Sequence, residues 1–371
     1  MKYFISCFLL SCLCASYSWD ISQSQSNVDS AIVDLYNYNF DLSLELLDKA
    51  QKIDPNHPVI PFLKTTAIWL KIQTDVGHEE SYKALKSSFD ESIPIYQKLI
   101  KENPENPEYY LYLGSLYGLL TRIELGYGHW FKALLPTIRG YKYIKKSNSL
   151  DPNLYDSYTP IGMSIYYICL NNDFIRYSSS VLGFNTNCDI SIEYLEIGSI
   201  QSYYSWIEAN NALSYIYLYI ERDYQSSENK IDILINKFPN NPFYHFIKAE
   251  ILCRGKRWDE YMDLRPTLVK MSNHQSKIIR DECTLKLRYL DANKYYNDRQ
   301  YDIAIKLLTN NINTYNMEFD WLLGLSYYLR AKSYIELNDQ ANAKKDLLVV
   351  SKMDFFFPEI EESKELLAKF F

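Results

Sequence analysis

Five histidines, at His57, His78, His129, His245 and His274, bound the metal and acid–base chemistry this chain can build from imidazole. A helix-borne zinc hydrolase site needs two histidines four residues apart with a glutamate after the first. His78-Glu79 opens that pattern, and no second histidine closes it. Nor does the sequence contain G-x-S-x-G, G-x-x-x-x-G-K-[ST] or G-x-G-x-x-G, so a nucleophile elbow, a phosphate loop and a dinucleotide fingerprint are all unsupported. Gly126-x-Gly128 reads as a turn between helices. Adjacent carboxylates such as Glu361-Glu362 read as a solvated helix face. The residues therefore point away from an enzyme, and no cofactor or metal is expected.

Cysteine offers a different chemistry. Cys7, Cys12 and Cys14 fall in an N-terminal leader, which leaves Cys169, Cys188, Cys253 and Cys283 for the rest of the chain. Their spacing is not C-x-x-C and no histidine pair accompanies them, so they do not read as a structural zinc site. The leader, residues 1–18, carries Lys2, an apolar stretch from Phe4 to Cys14, then Ala15, Ser16 and Ser18. That is the three-part pattern of a secretory signal peptide, with an apolar region too short to span a bilayer. It predicts a mature chain beginning near Tyr17 or Trp19, in the periplasm. The competing reading is a lipoprotein anchored at Cys12 behind Leu9, Leu10 and Ser11.

Charge and composition narrow the partners. With 39 Lys plus Arg against 46 Asp plus Glu, the net charge of −7 opposes phosphate backbones, so nucleic acid is not an expected partner. Hydrophobic residues make up 47%, with 11 Gly and 13 Pro, which excludes collagen-like and disordered chains. No transmembrane span is expected. Tyrosine is the outlier at 35 of 371 residues. It travels with abundant Asn, Ile and Lys, all encoded by AT-rich codons, so base composition accounts for most of it; the alternative for the remainder is a binding surface, to which the amphipathic Tyr ring is suited.

Positioning falls to amphipathic helices punctuated by Pro-centred phrases: Asp54-Pro55-Asn56, Asn103-Pro104-Glu105-Asn106-Pro107, Asp151-Pro152-Asn153 and Phe238-Pro239-Asn240-Asn241-Pro242. Each ends one helix and starts the next, because Pro blocks continuation and restricts the residue before it. Between them apolar residues recur with helical spacing, as at Leu42, Leu44, Leu46, Leu47, Ala50 and Ile53. The expected pairs cover 28–53, 59–102, 107–149, 155–200, 205–237, 242–271, 276–314 and 320–352, followed by a terminal helix from about Pro358.

These residues resemble the tetratricopeptide repeat, a helix-turn-helix unit of about 34 residues with small residues where its two helices cross. Residues 24–57 fit, with Ala31, Ser43, Ala50 and Pro55 in the diagnostic places; Leu113, Gly114 and Tyr117 repeat the motif, and Gly162 takes the same place behind Pro152. Ala292 with Ala304, and Ala331 with Ala343, keep the twelve-residue spacing. Pro55, Pro104 and Pro152 lie 49 and 48 residues apart, so the early units have longer helices or insertions. Between 171 and 187 the pattern lapses into an irregular polar connection. Leu35-Tyr36-Asn37 with Phe40-Asp41 is similar to a group of secreted bacterial tetratricopeptide proteins of undefined task. The expectation is an all-α, right-handed α-solenoid of about seven to eight antiparallel helix pairs across 19–371.

In the family that this chain resembles, the first helix of each unit lines a concave face. Carrying the register over implies a groove of Met163, Tyr166, Tyr167, Tyr219, Phe246, Glu250, Arg254, Tyr289, Asn293, Tyr296, Tyr328 and Lys332. Aromatic and Arg side chains are common anchors of binding surfaces, while the same rings packed under neighbouring helices would be ordinary core. The register also puts Cys169 at the end of one helix and Cys188 at the start of its antiparallel partner, on the same side, within reach of the roughly 5.5 Å between Cα atoms that a disulfide needs. Cys253 and Cys283 have no such relation and are expected free. The functional expectation is a non-enzymatic envelope scaffold that binds a peptide or protein in the groove. The alternative is a glycan- or solute-binding protein, since Tyr and Trp rings stack on sugars too.

Overall fold

The computed structural model describes residues 22–127, 129–170, 173–353 and 357–370. The leader with Cys12, the expected new terminus at Trp19, and Gly128 lie outside the described residues. Among those described, all regular structure is helical. Helix α1 (22–36) pairs with α2 (Phe40–Ile53), α3 (Ile60–Asp75) with α4 (His78–Glu102), and α5 (Pro107–Gly126) with α6 (Trp130–Leu150). Next come α7 (Tyr158–Cys169), α8 (Asp173–Val181), α9 (Asp189–Gln201), α10 (Trp206–Tyr215), which runs on into a π turn at Ile216–Ile220, and α11 (Tyr224–Lys237). The pairs α12 (Pro242–Arg254) with α13 (Trp258–Met271), α14 (Lys277–Asn297) with α15 (Tyr301–Asn313), and α16 (Trp321–Glu336) with α17 (Gln340–Val350) follow, and α18 (Pro358–Phe370) ends the chain.

The Pro-centred phrases work through side chains as well as through proline. Asn106 and Asn241 accept hydrogen bonds from the backbone N–H groups of Glu108 and Phe243, and Pro107 and Pro242 occupy the first helical turn where no intrahelical donor is needed. Asp151 accepts from the backbone N–H of Asn153 at 2.8 Å, turning the chain after α6.

The small residues stand where helices cross. Ala31, Ser43 and Ala50 are fully buried, and Ser43 Oγ donates to the Ala31 carbonyl at 2.8 Å. Ser227 repeats this device on the Ser214 carbonyl at 2.7 Å. Ala292, Ala304, Ala331 and Ala343 are buried to 0% exposure, which closes the α14–α15 and α16–α17 crossings. At α5–α6 a Cβ on Gly114 would lie 2.6 Å from Ile144 Cγ1 and 2.8 Å from the Gly140 carbonyl oxygen. The fold is thus all-α and of tetratricopeptide-like helical-repeat type. The wide spacing of the early prolines comes from long helices, 25 residues in α4, 20 in α5 and 21 in α6.

One segment departs from the expectation. Its composition predicts an irregular connection over 171–187, yet the stretch contains the nine-residue helix α8. Serines are only weakly unfavourable in a helix, so Ser- and Asn-rich composition is a poor guide there.

The helices fall into two compact units, Met1–Ser164 with Lys237–Asn240, and Ile165–Asn236 with Asn241–Phe371. In the first, Tyr82, Leu85 and Ile123 form a core flanked by Trp69, Leu119 and Leu120. The Tyr96 hydroxyl, buried under α3, donates to the Pro58 carbonyl at 2.7 Å. In the second, Arg330 makes a two-toothed contact with the buried Asp346 at 2.7 and 2.8 Å, tying α16 to α17, and Arg265 does the same with Asp291 between α13 and α14.

Candidate functional site

The aromatic face expected from the register belongs to the second unit, except for Met163, which lies in the first. Tyr219 comes from the π turn after α10, Phe246, Glu250 and Arg254 from α12, Tyr289 from α14, and Tyr328 and Lys332 from α16. These residues do converge. Tyr219 donates its hydroxyl to Glu250 Oε2 at 2.7 Å, and Arg254 donates Nε to Glu250 Oε1 at 3.0 Å with its guanidinium 5.1 Å from the Tyr219 ring centre. Lys332 holds its ammonium 5.1 Å over Tyr296 and 5.4 Å over Tyr328. Asn293 donates to the Tyr289 carbonyl within α14, and Tyr166 donates to Glu221 Oε1 at 3.1 Å.

An open groove, however, is not what they form. Tyr166, Tyr219, Phe246, Glu250 and Tyr289, five of the twelve expected residues, are each less than 9% exposed, so a large part of the expected wall is interior. Removing a buried aromatic side chain costs roughly 3–5 kcal/mol, which makes Tyr166→Ala or Tyr289→Ala a stability probe rather than a clean binding probe. Asn293, Tyr296, Tyr328, Arg254, Met163 and Lys332 are half-buried. Tyr167 alone of the expected wall is exposed, at 55%. Desolvation by the surrounding protein nonetheless pushes its phenol pKa up. Tyr215, from α10, is exposed at 36% and stacks on Tyr219 with ring centres 5.7 Å apart, and its phenol is raised for the same cause. Between Tyr215, Tyr219, Glu250, Lys286, Tyr289 and Trp321 remains a space of about 10 Å³, room for about one water.

The occupant of the face is the chain's own C-terminal segment. Phe357 stacks on Tyr219 with ring centres 4.7 Å apart and meets the edge of Trp321 at 6.4 Å. Glu359 takes Arg254 Nη1 at 2.7 Å. Glu362 accepts from the Tyr328 hydroxyl and from Arg222 Nη2. Burial alone would weaken the Arg254 charge, but the Glu250 and Glu359 carboxylates outweigh it and hold the guanidinium pKa well up. Lys332 is pushed down by desolvation, with Glu362 and Glu359 opposing. Glu361 is exposed as expected; Glu362, read with it as solvated, is half-buried and paired.

Lys286, Trp321, Phe357 and Glu359 are the site residues that sequence reasoning missed. Lys286 lies three residues before Tyr289 and Trp321 seven before Tyr328, so helical spacing already put both on the right face. Lys286 is buried on the ring of Phe243, with its ammonium 4.2 Å from the ring centre, and pairs with Glu282 at 2.8 Å. The terminal helix from Pro358 was expected, but no local signal announced its place on this face, because its partners are remote in sequence.

Cys169 and Cys188 are bonded to each other, with Cα atoms 5.8 Å apart, at the near ends of α7 and α9. Cys253 and Cys283 are free and buried, and desolvation raises both thiol pKa values, that of Cys283 to about 12. Among the described residues no group of three or more His, Cys, Asp or Glu is placed to hold a metal ion. None of their helices is long and apolar enough to cross a membrane.

Among known proteins, no family model matches this chain, and no curated protein matches it. Solved structures do. Yeast Tom70 is similar with a TM-score of 0.39 at 12% identity, over 95% of this chain and 83% of that one. The human IFIT1 dimer with PPP-AAAA gives 0.38 at 14% identity, over 94% of each chain. The TPR domain of P58(IPK) gives 0.26 at 13% identity, over 94% of this chain and 98% of that one. Similarity this low transfers nothing about binding, and the repeat assignment rests on the chain's own buried small residues and helix pairs.

Proposed function

We propose that this chain is a non-enzymatic protein-interaction scaffold of the cell envelope, using the aromatic and basic face of its second unit to hold a helical or extended segment of a partner protein. One observation carries the reading: that face already holds an amphipathic helix, α18, through an aromatic socket and paired charges. Protein recognition uses the same elements, aromatic and Arg anchors at the centre with polar groups around them. Tyr215, stacked on Tyr219, extends the face to solvent, and Tyr167 is the exposed ring of the expected wall. The envelope location is supported by the leader pattern and by a bonded cysteine pair, since disulfides persist in oxidising compartments.

The test is site-specific photo-crosslinking in the cells that make the protein. A photoreactive phenylalanine at Tyr167 or Tyr215 is expected to yield a discrete protein adduct identifiable by mass spectrometry. The same probe at Ile233, exposed on α11 at 47%, should not yield it. Adducts to carbohydrate, or the same products from all three positions, would overturn the scaffold reading.

A further inference from the structure

The seat of α18 has a defined chemistry. Three cations face it, Arg222, Arg254 and Lys332, and two of them meet carboxylates of α18 directly. Tyr219 and Trp321 make the socket for Phe357. The spacing on the occupant is an aromatic residue, a carboxylate two positions later and a second carboxylate three beyond that, the last two one helical turn apart.

Helix α18 packs along α17 and touches α16, and it meets the seat through polar side-chain bonds. Of its residues only Glu359, Ile360 and Ser363 are buried, and the described helix after Ser363 is half-buried or exposed. The fit is also incomplete. Arg254 Nη2 and Glu359 Oε2 are both buried with no hydrogen-bond partner. Leaving a buried donor and acceptor unmade is unfavourable, so an occupant that satisfied the remaining Arg254 donor would compete well with α18.

We infer that this seat is a docking surface for an acidic amphipathic helix of a partner protein, with an aromatic residue just before its first turn, and that α18 fills the seat in cis until such a helix displaces it. The inference deepens the scaffold reading and rests on it. Charge complementarity selects the partner: with α18 lifted away, Arg222, Arg254 and Lys332 face outward with Glu250 as the paired acid of Arg254. A basic or purely apolar helix would leave those cations desolvated and unmatched.

A fluorescein-labelled peptide with the sequence of residues 357–370 is the probe, its binding read by anisotropy on the full-length chain. Glu359→Gln with Glu362→Gln weakens the cis contact, and this chain is expected to bind the probe at least about tenfold more tightly than wild type, because less of the seat is already filled. Adding Arg254→Gln to that chain should abolish binding, and so should a probe carrying both Gln substitutions. Raising salt from about 50 to about 500 mM should weaken the complex, as expected for the partly exposed Arg222–Glu362 pair. If the double variant folds poorly, a protease site inserted after Met353 and cut in the folded wild-type chain frees the same helix. The cut helix should then exchange for the probe. Binding to neither chain, equal binding to both, or a cut helix that never exchanges would show α18 to be a fixed part of the fold and overturn the inference. A dimer that the probe dissolves would make a second copy the occupant and overturn the choice of partner. Protein adducts at Tyr167 or Tyr215 together with a failed peptide test would reject the docking seat while leaving the scaffold reading in place.

Discussion

Glu318, in the turn before α16, shows how one half-buried charge imposes a pH dependence. Desolvation raises its carboxyl pKa from 4.5 to about 7. Between those values the folded chain binds more protons than the unfolded one, so this group makes stability fall as pH rises from about 4.5 through about 7. Glu318→Gln should remove that fall and stabilise the protein at pH above 7 by on the order of 2 kcal/mol, a figure reduced for the solvent that still screens the carboxyl. Urea unfolding midpoints at acidic and alkaline pH check it: a variant that keeps the wild-type slope would show that another group titrates. At this same scale the register named the right neighbours, since Tyr219, Glu250 and Arg254 do interlock. Whether each ring met solvent was beyond it, because exposure depends on what packs above a side chain and not only on where it points.

Helix pairing rests on close crossings that admit no side chain. At Gly114 an added Cβ would press on the backbone oxygen of Gly140 as well as on Ile144, so Gly114→Ala must push α5 and α6 apart. The expected cost is about 1–3 kcal/mol, typical of overpacking. At Gly118, one turn further along α5, an added Cβ would meet nothing within 4 Å. Gly118→Ala should therefore stabilise by about 0.5–1 kcal/mol, the usual gain from replacing glycine inside a helix. Thermal unfolding of the two variants separates these signs, and an unchanged Gly114→Ala protein would reject the crossing argument. The α1–α2, α14–α15 and α16–α17 crossings were legible because small residues recur at twelve-residue spacing, and the helix ends because Asn-Pro and Asp-Pro act locally; Gly140, which meets Gly114, carried no such signal. Helix α8 was not, since serine signals neither a helix nor a loop strongly.

Over the whole chain, the bonded pair Cys169–Cys188 links the fold to the compartment it is made in. Its sequence separation is 19, and closing a loop of that size can stabilise by about 3 kcal/mol through the unfolded state. Protein exported through the leader is expected to show two reactive thiols after denaturation without reductant, Cys253 and Cys283, and protein retained in the cytoplasm four from the same mature segment. Cys169→Ser with Cys188→Ser should lower the unfolding midpoint of the exported form only. Four thiols in exported protein would remove the bond, and an N-terminus at Met1 would remove the export reading.

By itself the sequence determined most of the helices, their pairing outside 155–237 and the absence of any recognisable catalytic motif, because caps, prolines and small crossing residues act over a few residues to a dozen; in 155–237 it is α9 and α10 that pack together. Only the tertiary structure decided that the aromatic face is covered, and by what. The contacts that cover it join residues 105 and 140 apart, Arg254 with Glu359 and Arg222 with Glu362. No local pattern encodes such a pairing: an acidic stripe on a terminal helix has the same sequence whether it faces water or three cations, and its partners exist only once the intervening helices have stacked.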